Sequence, residues 1–199
     1  MRFFDRLKGK QAPTLELVLD DIVFQDVDAV INAADNSLLG GTGVDGALHE
    51  AAGSDLGLAC RALGGCPTGR AKATQGFLLP ARHIIHTVAP IHGAWGTTQE
   101  QGDVLAWCYR SSLTLADSMR LTSVAFPLLG AGAYGWPADD AARVAVAAIR
   151  VFRGRHVRLV RMVAFQRRDL GALERHAGIK GTVADRPGGF RYHTGKSAT

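Results

Sequence analysis

The residues of this chain that could do chemistry gather around two glycine-rich segments. The first runs from Asn32 to His49, NAADNSLLGGTGVDGALH, and the second from Phe126 to Pro137, FPLLGAGAYGWP. Each follows a short apolar run and precedes a helical pattern. That strand–loop–helix layout presents backbone N–H groups and a helix N-terminus to an anion. Two such loops can hold a diphosphate from both sides. Just past its glycines, the first segment delivers a carboxylate, Asp45, and an imidazole, His49. The two are spaced i and i+4 and share one helix face. The expectation is a phosphate-binding site that carries acid–base groups.

The elements that must position these groups are legible from periodicity. Residues 15–19 and 26–32 read as strands, the second ending at the first glycine loop. Residues 44–63 read as helix in two pieces broken near Gly53, and residues 64–69 as a turn. Residues 73–79 and 83–88 are short strand candidates. A long helix is expected over 98–119, with Val104, Leu105, Cys108, Ser112, Leu115, Ala116 and Met119 on one face. Residues 124–126 form a strand into the second loop, and Pro137 is placed to be the first residue of the next helix. There Ala141, Val144, Ala145, Ala148, Ile149 and Phe152 define a buried face. Residues 157–165 read as a last strand, and Asp169 to His176 as a short helix. Strands alternating with helices predict an α/β fold with a mainly parallel sheet. Ligands in such folds bind at the carboxyl ends of strands, where both glycine loops lie.

At 199 residues and 47% hydrophobic composition, the chain suits one domain with a sizeable core. Residues 1–13 read as a leader, 14–177 as the domain, and 178–199 as a basic, mostly unstructured and flexible tail. No apolar run approaches the roughly 20 residues of a membrane span. The N-terminus lacks the continuous apolar stretch of a secretory signal. A soluble cytoplasmic protein without membrane partners is expected. The net charge of +5 is uneven: residues 1–149 hold 11 Lys+Arg against 15 Asp+Glu, and residues 150–199 hold 12 against 3. A basic C-terminal quarter is either a solvated surface or a feature that attracts nucleic acid or an acidic partner. Cys60, Cys66 and Cys108 are odd in number and form no CxxC pair, which reads as reduced, partly buried thiols. His83, His86 and His92 read as strand and loop residues, with no metal expected. Trp95, Trp107 and Trp136 read as packing residues.

Neither loop is a Walker phosphate loop, because no Gly-Lys-Ser/Thr follows, and neither is a clean GxGxxG with its acidic partner. The run from Asp28 to Ala34 continuing through Leu38 to His49 closely resembles macrodomains of the MacroD type. So do residues 65–71, GCPTGRA, residues 85–90, IHTVAP, and the segment from Phe126 to Pro137. The similarity runs from about residue 15 to about 175, in family order.

The resemblance implies a three-layer α/β/α sandwich that binds ADP-ribose. It also implies an enzyme that hydrolyses esters of ADP-ribose, either mono-ADP-ribosyl groups on acidic side chains or O-acetyl-ADP-ribose. No cofactor and a monomeric state are expected. Carried over residue by residue, Asp21 accepts a hydrogen bond from the adenine amine and Ile22 contacts that end through its backbone. Gly40, Gly41, Thr42, Gly43 and Val44 cradle the proximal phosphate and ribose. Gly130, Ala131, Gly132 and Ala133 hold the diphosphate from the other side. Tyr134 packs against the distal ribose, Asn32 holds that ribose or the loop, and Phe165 either flanks adenine or packs in the core. Asp45 is the implied catalytic carboxylate, with His49 assisting. On the residues alone, Asp45 also suits the dipole of a helix start, His49 a structural role, and Tyr134 the core.

Four positions depart from the family pattern. Asp20 stands where the family has Gly, Thr42 where it has Gly, and Ala131 where it commonly has Thr. Asp35 stands where it has a second Asn beside the catalytic site, with Asn36 next to it. An ionised Asp accepts hydrogen bonds but donates none, and its charge opposes ionisation of Asp45. The Asp35 position therefore favours, as the alternative, a module that reads ADP-ribose without cleaving it.

Overall fold

Apolar residues that alternate between two faces build the sheet. In β1 (Thr14–Leu19), Leu17 and Leu19 enter one core and Val18 the other. The same alternation recurs in β2 (Ala29–Ala33), where Ala29 and Ile31 oppose Val30, and in β5 (Ser123–Pro127), where Val124 and Phe126 oppose Ala125. Both faces of each strand are thus buried, the pattern of a sheet covered by helices on both sides.

The structure is a computed structural model and describes residues 9–185. The remaining strands are β3 (Ala71–Gln75), β4 (His83–Thr87), β6 (Leu159–Ala164) and β7 (Thr182–Val183). All seven form one sheet in the order β3-β4-β2-β5-β6-β1-β7. Every neighbouring pair is parallel except β3 with β4, which is antiparallel. One face carries α3 (Thr98–Ser118), α4 (Ala138–Val151) and α5 (Arg167–Ala177). The other carries α1 (Val44–Ala52), α2 (Ser54–Leu63) and a 3-10 turn at Ile22–Phe24. The expected α/β/α sandwich with a mixed, mainly parallel sheet is the observed architecture.

Local chemistry explains the boundaries. The break between α1 and α2 falls at Gly53, as expected. A capping box starts α3: Thr97 Oγ1 accepts from Glu100 N–H at 3.2 Å, and Glu100 Oε2 accepts from Thr97 N–H at 2.7 Å. Pro137 caps α4 from outside rather than opening it, with Asp139 and Asp140 in the first turn.

The structure corrects or sharpens other expectations. The strand expected at 73–79 is Ala71–Gln75, because Gly76 N–H turns back to Arg82 O and ends the ladder. Part of the expected tail is structured: β7 pairs with Val18 and Leu19 of β1. That pairing gives an edge strand a partner, which two residues lacking apolar periodicity cannot announce. Trp136 is buried, but Trp95 and Trp107 are 46% and 53% exposed and are not core residues. On the expected face of α3, Leu105, Cys108, Ser112 and Ala116 are fully buried and Leu115 and Met119 pack half-buried against the core, joined by Tyr109 and Leu113, which are also fully buried. Residues 1–8 of the expected leader and 186–199 of the expected tail lie outside the described residues.

At the end of the sheet opposite the glycine loops, Asp28 ties three strands together. Its Oδ2 accepts from Thr122 N–H at 2.6 Å, Thr122 Oγ1 at 2.7 Å and Ser123 N–H at 3.1 Å, and Arg82 pairs with Oδ1. Burial pushes the Asp28 pKa up, but the bonds from Thr122, Arg82 and Ser123 outweigh it and hold the carboxyl well below the ordinary range. A depressed folded pKa contributes stability above the unfolded value of about 3.9, and that stability is lost as pH falls. Asp28→Asn should therefore lower unfolding free energy by about 1–3 kcal/mol near neutral pH. The gap to wild type should narrow towards about pH 3, as read by denaturant melts at both pH values.

Candidate functional site

Both glycine loops leave the sheet at the carboxyl ends of adjacent strands, since β2 and β5 pair through Val30 and Ala125. The first loop is shaped by Asp35. Its Oδ1 accepts from Ser37 N–H at 2.7 Å, Ser37 Oγ at 2.6 Å and Leu38 N–H at 3.0 Å. This Asx turn sets up Leu38, fully buried at φ 62, a left-handed conformation held by its surroundings. The neighbouring Asn36 is engaged elsewhere: its amide donates to Cys66 O at 2.9 Å and Thr68 Oγ1 at 3.2 Å. Asn36 is thus not a replacement for the amide that Asp35 lacks.

Gly43, at φ 63, turns the chain into α1 and offers no side-chain cap. The first-turn N–H groups of α1 are left uncapped at the cleft wall, an anion-binding arrangement. Thr42, standing where a glycine is usual, is not among the residues of positive φ, so its Cβ adds no strain. Gly46 packs α1 against the loop so closely that a Cβ there would lie 2.6 Å from Gly41 O.

Asp45 is 3% exposed in the first turn of α1. Its Oδ1 accepts from Asn32 Nδ2 at 2.7 Å and lies 3.6 Å from His49 Nε2. Asn32, fully buried at the end of β2, also contacts His86 Nδ1 through Nδ2 at 3.1 Å. Asp45 Oδ2, Asn32 Oδ1 and His49 Nε2 are buried with no hydrogen-bond partner within the described protein. Buried polar atoms are nearly always partnered, and three orphans around one carboxylate mark a site built for something other than itself.

Electrostatics agree. Burial lifts the Asp45 carboxyl above the usual range, the Asn32 bond and His49 ring pull it down, and the Asp35 charge adds to the lift. The Asp35 carboxyl goes the other way, held low chiefly by its bond from Ser37. The Tyr134 phenol is raised by burial and then by the charges of Asp35 and Asp45, so it stays a neutral donor. A raised carboxylate at a helix N-terminus beside an imidazole can accept a proton from a bound water.

A cleft of about 350 Å³ opens beside Asp45. The first loop lines it through Asp35, Gly41, Thr42, Gly43, Val44 and Asp45, and the second through Gly130, Gly132, Ala133 and Tyr134. Asn32 and His49 stand behind this wall, His49 packed with its ring 3.5 Å from where a Gly40 Cβ would lie. Gly40 and Ala131 also do not line it. Asp21, Ile22 and Phe165 lie outside the cleft, although they follow β1 and β6 at the same end of the sheet. Ile22 is buried in the core, and Phe165 is 37% exposed. Asp21 Oδ1 caps the 3-10 turn through Val23 N–H at 3.1 Å. Asp20, in place of a usual glycine, holds that turn by accepting from Asp21 N–H at 2.8 Å and Gln25 Nε2 at 2.7 Å.

Sequence reasoning did not find Ala33, Ala34, Ala89, Pro127 and Leu128, which line the cleft by apolar contact. Their one signal was position at or just past a strand end, which core residues share. It also read His86 only as a strand residue.

The α/β/α sandwich carries two glycine loops over adjacent strand ends, with a buried carboxylate on the wall between them, and this layout can offer backbone N–H groups to an anion. Residues 31–145, more than half of the chain, match the family described as Macro domain, and the chain belongs to that family. It is 52% identical over 133 residues to a Methanosarcina mazei protein named Macro domain-containing protein, covering 66% of this chain and 70% of that one. It is 49% identical over 142 residues to the Rattus norvegicus protein named ADP-ribose glycohydrolase MACROD1, covering 71% of this chain and 55% of the relative. Among solved structures, the Oceanobacillus iheyensis macrodomain with ADP superposes at a TM-score of 0.79 and 40% identity, covering 85% of this chain and 94% of its own. The Trypanosoma brucei macrodomain in complex with ADP-ribose gives a TM-score of 0.75 at 36% identity, covering 81% and 68%.

The packing of α1 on its loop yields a test. Gly46→Ala forces a shift against Gly41 O, at a cost of about 1–3 kcal/mol, which lowers Tm at roughly 2–4 °C per kcal/mol. Gly57→Ala, whose Cβ would come no closer than 3.9 Å to another side chain, should hold or raise Tm. Calorimetry of the two variants reads the difference.

Proposed function

We propose that this macrodomain binds ADP-ribose in the cleft and hydrolyses ADP-ribose esters: mono-ADP-ribosyl groups on acidic side chains, O-acetyl-ADP-ribose, or both. The single observation that carries this is the buried Asp45 carboxylate on the cleft wall, with one oxygen held by Asn32 and the other unpartnered. The names of its relatives and the ligands of its structural neighbours support the choice of ligand.

The diphosphate lies between the N–H groups of residues 40–44 and those of residues 130–133, which give remote binding energy that positions the distal ribose. Tyr134 packs against that ribose. Asp21, Ile22 and Phe165 serve the adenine end beyond the cleft. Asp45 Oδ2 orients a water towards the ester and takes its proton as the water oxygen bonds to the reacting carbon. The uncapped first turn of α1 stabilises the charge that develops. The proton passes to the leaving oxygen, with His49 beside Asp45 to share it. No cofactor enters this hydrolysis. A reducing, cytoplasmic setting is supported by three free, buried cysteines, Cys60, Cys66 and Cys108.

Asp45→Ala should lower release of ADP-ribose from a glutamate-linked mono-ADP-ribosylated protein by at least about a hundredfold, with ADP-ribose affinity by calorimetry kept within a few-fold. Wild-type binding without turnover would instead identify a reader of ADP-ribose, the alternative that Asp35 favours. Loss of binding in the wild type would sink both.

Asp45 must be ionised to act, so activity should fall as pH drops through its raised pKa. Asp35 remains charged through that range because its own pKa is lowered. Asp35→Asn removes one cause of the lift, so the acid limb of kcat/KM should move to lower pH. An unmoved limb would show that Asp35 does not reach Asp45 electrostatically.

A further inference from the structure

We infer that His86 is a positioning residue for the proposed hydrolysis: from one strand away, it sets the orientation of the Asn32 amide and thereby of the Asp45 carboxylate. This inference rests on the function proposed above, but its test does not depend on turnover alone.

Asn32 and His86 are direct cross-strand partners in the parallel pairing of β2 with β4. Both are fully buried. Asn32 Nδ2 has two hydrogens and two neighbours, Asp45 Oδ1 at 2.7 Å and His86 Nδ1 at 3.1 Å. Exchanging the amide oxygen and nitrogen would set Asn32 Oδ1 against a carboxylate oxygen, so the acceptor pair selects one orientation. In that orientation His86 Nδ1 accepts. A neutral imidazole then carries its proton on Nε2, which lies 3.0 Å from Thr74 Oγ1 on β3 and 3.8 Å from Cys60 Sγ on α2. Burial, and then the His49 charge, push the His86 pKa down to about 4, so the ring stays neutral at ordinary pH and keeps its acceptor. The chain Thr74–His86–Asn32–Asp45 thus crosses three strands and ends on the reacting carboxylate. It leaves Asn32 Oδ1 and Asp45 Oδ2 as the unpartnered atoms.

A buried histidine that merely filled space would show none of this directionality. His86 also does not touch the cleft, so it acts through Asn32. The other titratable groups around Asp45 are His49 on α1, Asp35 on the first loop, Tyr134 on the second and Cys60 on α2. Cys60 touches His86, but burial pushes its thiol up to about 11, so it stays neutral while Asp45 titrates, and a shift at Asp45 reports the Asn32 bond.

Two polar variants separate positioning from packing. In His86→Asn the side-chain amide reaches the place of Nδ1 and can still accept from Asn32, but the Thr74 contact is lost. In His86→Gln the amide reaches the place of Nε2 and keeps Thr74, but the acceptor for Asn32 is lost. The readouts are the Asp45 carboxyl pKa, by carbon-detected NMR titration with Asp45→Asn as the assignment control, calorimetric ADP-ribose affinity, and kcat. His86→Gln should raise the Asp45 pKa by about half a unit or more and lower kcat about ten- to a hundredfold, with ADP-ribose affinity held within about threefold. His86→Asn should restore both. An unshifted Asp45 pKa in His86→Gln, or an equal shift in both variants, overturns the assignment; if His86→Gln fails to fold, His86→Leu, which also removes the acceptor for Asn32, is read in its place against the same outcomes. If the wild type binds ADP-ribose without turnover, the function proposed above fails while the NMR arm still tests His86.

Discussion

The hydrogen bond from Asn32 Nδ2 to Asp45 Oδ1 is the interaction on which the rest of the site depends. A carboxylate that is 3% exposed is costly to keep ionised unless something donates to it. The donor sits at the carboxyl end of β2 and the acceptor in the first turn of α1, so the bond joins the sheet to the helix across the glycine loop. It uses one Asp45 oxygen and leaves the other unpartnered. A stronger set of donors would have drawn the pKa down and left a weak base, and no donor would have left a neutral acid. The Asn32 bond and the His49 ring together offset part of the lift that burial and the Asp35 charge give the Asp45 carboxyl.

The sheet makes that bond possible. Parallel strands bring β2, β4 and β5 to one edge with their ends level, so Asn32, His86 and the second loop converge without long connections. Alternating apolar faces bury the sheet on both sides, which excludes water from the polar chain beneath the cleft. Gly46 then lets α1 approach Gly41 O within a distance no Cβ would allow, and this close fit sets the depth at which Asp45 lies. At the far end of the sheet, Asp28 holds the strand entries. Chemistry at one end thus rests on a polar clamp at the other.

The departures from the family pattern sort themselves by what they touch. Thr42 keeps a negative φ and changes nothing in the backbone. Asp20 takes over from a glycine by bonding the turn that a glycine would have left to its own flexibility. Asp35 has the largest consequence. It shapes the loop as an Asx turn through one oxygen, a task an Asn carbonyl performs equally well, but it adds a charge that Asp45 feels. The exchange therefore acts on the electrostatics of the site through the Asp35 charge.

Much of this was legible in the chain itself. The break at Gly53, the long helix, the alternating strands and the two glycine loops are local signals, carried by spacing and turn chemistry over a few residues. Asp45 and His49 were legible for the same reason, since i and i+4 share a helix face wherever the helix goes. What the chain could not declare was depth and partnership. Trp95 and Trp107 look like core residues until neighbours decide otherwise, and β7 has no apolar period and exists because β1 has a free edge. His86 and Asn32 are 54 residues apart and meet through strand register, which no local pattern encodes. The sequence by itself determined which groups were available and on which elements they rode. Only the tertiary structure decided which oxygen of Asp45 is held and which is left unpartnered. Burial and hydrogen-bond direction are properties of the assembled layers, because they depend on residues far apart in the chain.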